Sequence, residues 1–142
     1  MSSIEQISIR IASFEEMLTG QAEAVLTEVA EMLKRLLQDG AEDSIDLRSL
    51  PLTPADRDWL DAQLGRGEVE IVLEAGGRSI LLETAYPGVW KIMHRDTENR
   101  IVAELIEVAF VPAIIRPDKT DVEKGYEGLL LKTKALGGME DD

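Results

Sequence analysis

Apolar residues recur along this chain with two periods, first helical and then alternating. In the run QAEAVLTEVAEMLKRLLQD, residues Val25, Val29, Met32, Leu33, Leu36 and Leu37 fall at spacings of three and four. That spacing predicts a long helix over 20–40 with one apolar stripe. Glu23, Glu28 and Glu31 lie toward its start and Lys34 and Arg35 toward its end, the order the helix dipole favours, and Gly40 is placed to stop it. Ahead of it, Ile7, Ile9 and Ile11 alternate, as a short strand or an extended arm would, before the pattern turns helical.

A short strand is predicted over 44–52, within IDLRSLPL, and a short capped helix over 53–65. Thr53 suits the N-cap, Pro54 the first helical position, and Asp56 stands three residues beyond Thr53 as a capping box requires. Trp59, Leu60 and Leu64 give the helix an apolar face, and Gly65 ends it. Asp56, Asp58 and Asp61 are expected mainly on its solvated side.

From 68 to 112 the period changes to two. EVEIVLEA, RSILLETA, VWKIMHR and IVAELIEVAFV read as four successive strands. Gly76 and Gly77 signal a two-residue hairpin between the first two, and DTENR closes the last. Pro112 and Pro117 break the pattern. A helix weakened by two glycines is predicted over 118–137 through Val122, Tyr126, Leu129, Leu130 and Thr133, followed by a frayed tail at 138–142. Helices segregated from strands imply an α+β fold, a four-stranded antiparallel β-meander with helices packed on one face, in a single domain over 1–142.

Composition narrows function by exclusion. The 142 residues are 44% hydrophobic and 30% charged, which is globular rather than disordered. Zero cysteines remove disulfides, thiolate metal sites, cysteine-ligated iron–sulfur clusters and cysteine nucleophiles, and a single histidine, His94, removes multi-histidine metal sites within one chain. No cofactor is expected. The net charge of −13 opposes nucleic-acid binding and favours solubility or a basic partner. Acids exceed bases throughout (nine to three in 1–43, twelve to eight in 44–116, seven to four in 117–142), so the whole surface is acidic. No apolar run is long enough for membrane insertion, and MSSIEQISIR lacks the basic-then-apolar pattern of a secretory signal, so the cytoplasm is the expected location.

Candidate chemistry gathers in ETAYPGVW, residues 83–90. Pro87-Gly88 suits the centre of a type II turn, with Trp90 anchoring the sheet behind it. Alternatively Glu83, Tyr86, Pro87, Gly88 and Trp90 form a peptide-recognition surface, an aromatic loop beside a carboxylate. LGRGEVE lacks the Gly-Lys-Ser/Thr ending of a phosphate loop and precedes a strand. It reads as a helix stop at Gly65 and a turn at Gly67, leaving Arg66 exposed for an ion pair or a partner. His94 reads as a packing or surface residue that Glu104 or Glu107 could pair with. Catalysis would require His94, Glu83 and Arg66 to converge, and nothing in their spacing specifies an enzyme.

One pattern is more specific. Leu50-Pro51-Leu52, Pro54 with Asp56, Leu64-Gly65-Arg66-Gly67-Glu68, Glu83-Thr84, Pro87-Gly88-Val89-Trp90, and Glu107-Val108 before Pro112 follow one another across residues 50–116. In that order and spacing the chain resembles the HupH/HyaF family of hydrogenase expression/formation proteins. The resemblance implies a non-catalytic cytoplasmic accessory protein in the maturation of uptake nickel–iron hydrogenases. Its partner would be the hydrogenase small-subunit precursor, whose export signal carries paired arginines, or another maturation protein. The alternative is a generic interaction module acting as a homodimer.

Overall fold

A computed structural model of the protein describes residues 17–140; the alternating Ile7–Ile11 segment lies outside them. The chain falls into two compact units, residues 1–110 and 111–142.

In the first unit, helix α1 (Gln21–Asp39) leads to strand β1 (Asp43–Asp46), a 3-10 turn (Leu47–Ser49) and helix α2 (Pro54–Leu64). Strands β2 (Glu70–Glu74), β3 (Arg78–Glu83), β4 (Val89–Arg95) and β5 (Ile101–Val108) follow. The sheet is antiparallel with the order β1-β5-β4-β3-β2. Among the described residues it therefore has five strands where four were expected. The predicted 44–52 strand is only Asp43–Asp46, and it joins the sheet by pairing with the far end of the chain's first unit, Asp43 opposite Val108 and Ile45 opposite Ile106. That contact spans some sixty residues and has no local signature.

The alternation of the strands assigns each face. Val89, Ile106 and Val108 point to the side where the helices lie, and they form one core with Val25, Val29, Met32 and Leu36 of α1 and Leu60 and Leu64 of α2. Helix α1 ends as expected, with the Gly40 N–H donating to the Leu36 carbonyl at 2.9 Å and Gly40 at φ +70°. One residue of its predicted stripe is misplaced. Leu37, 100° beyond Leu36 on the helix, is 76% exposed.

Both bonds of the capping box on α2 are present: Asp56 N–H donates to Thr53 Oγ1, and Thr53 N–H donates to Asp56 Oδ2. Asp56 itself is fully buried, contrary to its expected solvated position. Its carboxylate also accepts the Thr19 N–H at 2.9 Å and the Thr19 hydroxyl at 2.6 Å, while the Thr53 hydroxyl donates to the Met17 carbonyl at 2.5 Å. The start of α2 thus fastens the segment entering α1. The Thr19 hydroxyl, foremost among these donors, holds the Asp56 carboxyl down at about 2 against the opposing effect of burial.

The β2–β3 connection is a three-residue loop, Ala75 to Gly77, between the paired Glu74 and Arg78, not the two-residue turn expected. Gly76 (φ +64°) and Gly77 (φ +136°) supply the conformations that an L side chain resists. In the second unit, a 3-10 turn (Ala113–Ile115) precedes helix α3 (Lys119–Glu140), which includes residues 138–140 of the tail expected to fray at 138–142.

Candidate functional site

The predicted site residues lie at the end of the sheet where β3 passes into β4. Tyr86 to Val89 form the expected tight turn: Val89 N–H donates to the Tyr86 carbonyl at 3.0 Å, with Gly88 at φ +94°. Thr84 stiffens it from within. Its hydroxyl accepts the Tyr86 N–H at 3.1 Å, and its own N–H reaches the Val89 carbonyl at 3.0 Å. The Gly88 carbonyl accepts the Ala109 N–H, and a Cβ on Gly88 would touch Leu33 and Leu36 of α1. The turn is braced on three sides, yet Tyr86 at its corner is 51% exposed.

The loop after α2 is latched to the same strand end. Gly67 N–H donates to the Glu83 carbonyl at 2.8 Å, Glu68 N–H to Glu83 Oε1 at 3.0 Å, and Ala85 N–H to the Leu64 carbonyl at 2.9 Å. Glu83 therefore has a structural duty that its sequence position did not reveal. Gly67 is required there because any Cβ would run into the Glu83 carboxylate and the Thr84 carbonyl. The latch presents Arg66 on the surface, where it faces Glu70 at 3.4 Å.

Beside the latch, on the helix-covered face, opens a cleft of about 310 Å³. Leu64 and Leu82 give it an apolar wall, Thr84 and Arg66 border it, and the ion pair of Lys91 with Asp61 crosses it. Lys91 and Leu82 were not singled out from sequence, and Asp61 was read only as an acid on the solvated side of α2. Leu82 and Lys91 are set side by side by the β3–β4 register, and Asp61 reaches Lys91 from α2. The Arg57–Glu104 pair at 2.5 Å ties α2 to β5 on the same face.

Trp90 stands apart from this surface. It points to the other face of the sheet, is only 5% exposed, and donates its indole N–H to the Ala109 carbonyl at 3.1 Å. It is the anchor of the sheet end rather than part of the exposed surface. His94 shares that face and lies 2.5 Å from Ser79 Oγ; Glu104 is on the opposite face with Arg57. Glu83 is opposite Trp90, four residues or about 13 Å along the strand from His94. Arg66 borders the cleft on the helical face. The three groups that catalysis would need do not converge. Among the described residues, no three histidine or carboxylate side chains gather as a metal site would need, and no helix is long and apolar enough to cross a membrane.

The HupH hydrogenase expression protein C-terminal conserved region matches residues 19–135. The chain belongs to this family. The hydrogenase expression/formation protein HoxQ of Azotobacter vinelandii is 27% identical over 114 residues, 79% of this chain and 40% of that protein. The HupH protein of Rhizobium leguminosarum bv. viciae is 32% identical over 117 residues, 81% of this chain and 38% of that one. The chain thus spans about two-fifths of the length of these relatives. The solved structure of the hydrogenase expression protein HupH from Thiobacillus denitrificans is 44% identical with a TM-score of 0.78, covering 82% of this chain and 98% of that one. The matched region takes in both helices of the first unit, the whole sheet, the latch and the turn.

Proposed function

We propose that this protein is an accessory factor in the maturation of uptake nickel–iron hydrogenase and binds the small-subunit precursor as a chaperone does. The observation that carries the binding reading is Tyr86, a half-exposed aromatic on a turn immobilised by five backbone and side-chain hydrogen bonds, next to a latched loop presenting Arg66. A rigid aromatic loses little conformational entropy on contact, which is why tyrosine recurs at binding hot spots. The family supplies the biological setting.

The chemistry of the client follows from charge. A precursor segment with paired arginines beside an apolar stretch would meet an acidic protein of net charge −13 with carboxylates at Asp61, Glu68 and Glu70 around the turn and cleft. Arg66, Tyr86 and Pro87 form the exposed contact; Glu83 and Gly88 hold its shape; Trp90 anchors it from beneath. In this reading the protein works in the cytoplasm, before export, with no cofactor and no catalytic step.

Isothermal titration of a precursor peptide bearing the paired arginines tests it. Binding that weakens as salt rises and disappears in Tyr86→Ala is expected. No heat, or equal binding by Tyr86→Ala, overturns it.

A further inference from the structure

Helix α3 carries a complete apolar seam that nothing in its own unit covers. Val122, Tyr126, Leu129, Thr133 and Leu136 follow one another at spacings of four, three, four and three, the repeat of a helix that packs lengthwise against another helix. All five are exposed, Tyr126 by 65% and Leu129 by 63%. Among the described residues of this unit, the other regular element is the three-residue turn Ala113–Ile115, too short to cover a seam of this length. The helix also contains Gly125, Gly128, Gly137 and Gly138, among the residues least suited to a helix interior. A helix so composed derives its stability from packing, not from propensity.

We propose that the occupant of this seam is α3 of a second copy of the chain, set antiparallel. The charges decide the orientation. Asp121 and Lys132 lie along one flank of the seam, and Glu123 and Lys134 along the other, with the acid in the first half of the helix and the lysine in the second each time. In an antiparallel pair each flank faces its own counterpart reversed, so Asp121 meets Lys132 of the other copy and Glu123 meets Lys134. A parallel pair would instead bring Asp121 beside Glu123 and Lys132 beside Lys134. Both charge pairs call for nearly the same register, with Tyr126 of one copy on Leu129 of the other. That register also lays Val122 against Thr133. Antiparallel helix dipoles attract as well.

The arrangement is a two-fold, isologous contact of the commonest kind. It buries roughly 1,000 Å² over both copies, the lower edge of specific interfaces, so a dimer that dissociates on dilution is expected.

The full chain tests this directly because it contains no cysteine of its own. Light scattering after size exclusion should show a dimer at high concentration and a monomer on dilution, and Leu129→Glu, at an exposed position, should be monomeric with unchanged circular dichroism. Under mild oxidation, a mixture of Val122→Cys and Thr133→Cys chains should cross-link, while each variant alone should not. Its two thiols would then be eleven residues, or about 16 Å, out of register, beyond disulfide reach. Cross-linking of Val122→Cys with itself would show a parallel pair and overturn the proposal. So would a monomer at every concentration, the result if α3 docks on its own chain, or a Leu129→Glu protein that still dimerises.

Discussion

Replacing Gly67 by alanine should destabilise the protein far more than its surface position suggests. Gly67 does not occupy the left-handed region, so the backbone conformation itself tolerates alanine. The obstacle is space. The new methyl group would collide with the Glu83 carboxylate, lie 2.5 Å from the Thr84 carbonyl and 2.9 Å from Glu83 Cγ. A carboxylate can rotate away, but the Thr84 carbonyl belongs to a strand end fixed by the Thr84–Val89 and Ala85–Leu64 bonds. The loop must therefore lift. Lifting it breaks the Gly67–Glu83 and Glu68–Glu83 hydrogen bonds, each worth about 1 kcal/mol net, and leaves about 1 kcal/mol or more of residual strain. The total is about 3 kcal/mol. For a chain of this size that lowers Tm by about 10 °C. Gly76→Ala is the control, because Gly76 has φ +64° with nothing within 4 Å of a Cβ. It carries only the cost of a left-handed alanine, about 1 kcal/mol. Differential scanning calorimetry and urea unfolding of both variants measure the difference. A Gly67→Ala protein no less stable than Gly76→Ala would refute the latch.

Other outcomes follow from the same geometry. Asp56 has a folded pKa of about 2, below its ordinary value of 3.8, so its stabilising contribution is complete above about pH 4 and is lost as pH falls through 2. Urea unfolding from pH 6 to pH 2 should show a shallower acid decline for Asp56→Asn than for the parent chain. Trp90→Phe leaves the Ala109 carbonyl without its indole donor and should reduce unfolding free energy by about 1–3 kcal/mol, measured by chemical denaturation. Tyr86→Ala should change stability by less than about 0.5 kcal/mol in the same assay, since the side chain is half exposed and only its backbone holds the turn.

How far the sequence could be read depended on the range of the interactions. The capping box at Thr53 and Asp56, the stop at Gly40 and the Pro87-Gly88 turn are local, decided within four residues, and the structure has each of them. The four meander strands follow from alternation and short connections. The short strand before α2 was expected, but its place in the sheet escaped because Ile45 and Ile106 meet across the chain. Asp56 was read as solvated together with Asp58 and Asp61, on the polar side of the short helix; its carboxylate is instead engaged by Thr19, 37 residues earlier. The candidate site divided in the same way. Arg66 and Tyr86 are exposed, as a turn and an open loop between glycines suggest. Glu83, by contrast, is engaged by the Glu68 backbone, and Lys91 and Asp61 meet only through tertiary packing. Trp90 could be read as anchor or as contact from sequence; its indole bond to Ala109 makes it the anchor.

The proposed role stands or falls on the client. The tagged chain should be recovered from cells expressing the hydrogenase genes and its companions identified by mass spectrometry, beside a Tyr86→Ala variant of equal thermal stability. The account predicts the small-subunit precursor with the parent chain and its loss with the variant. Absence of the precursor from both, or equal recovery with both, would contradict it.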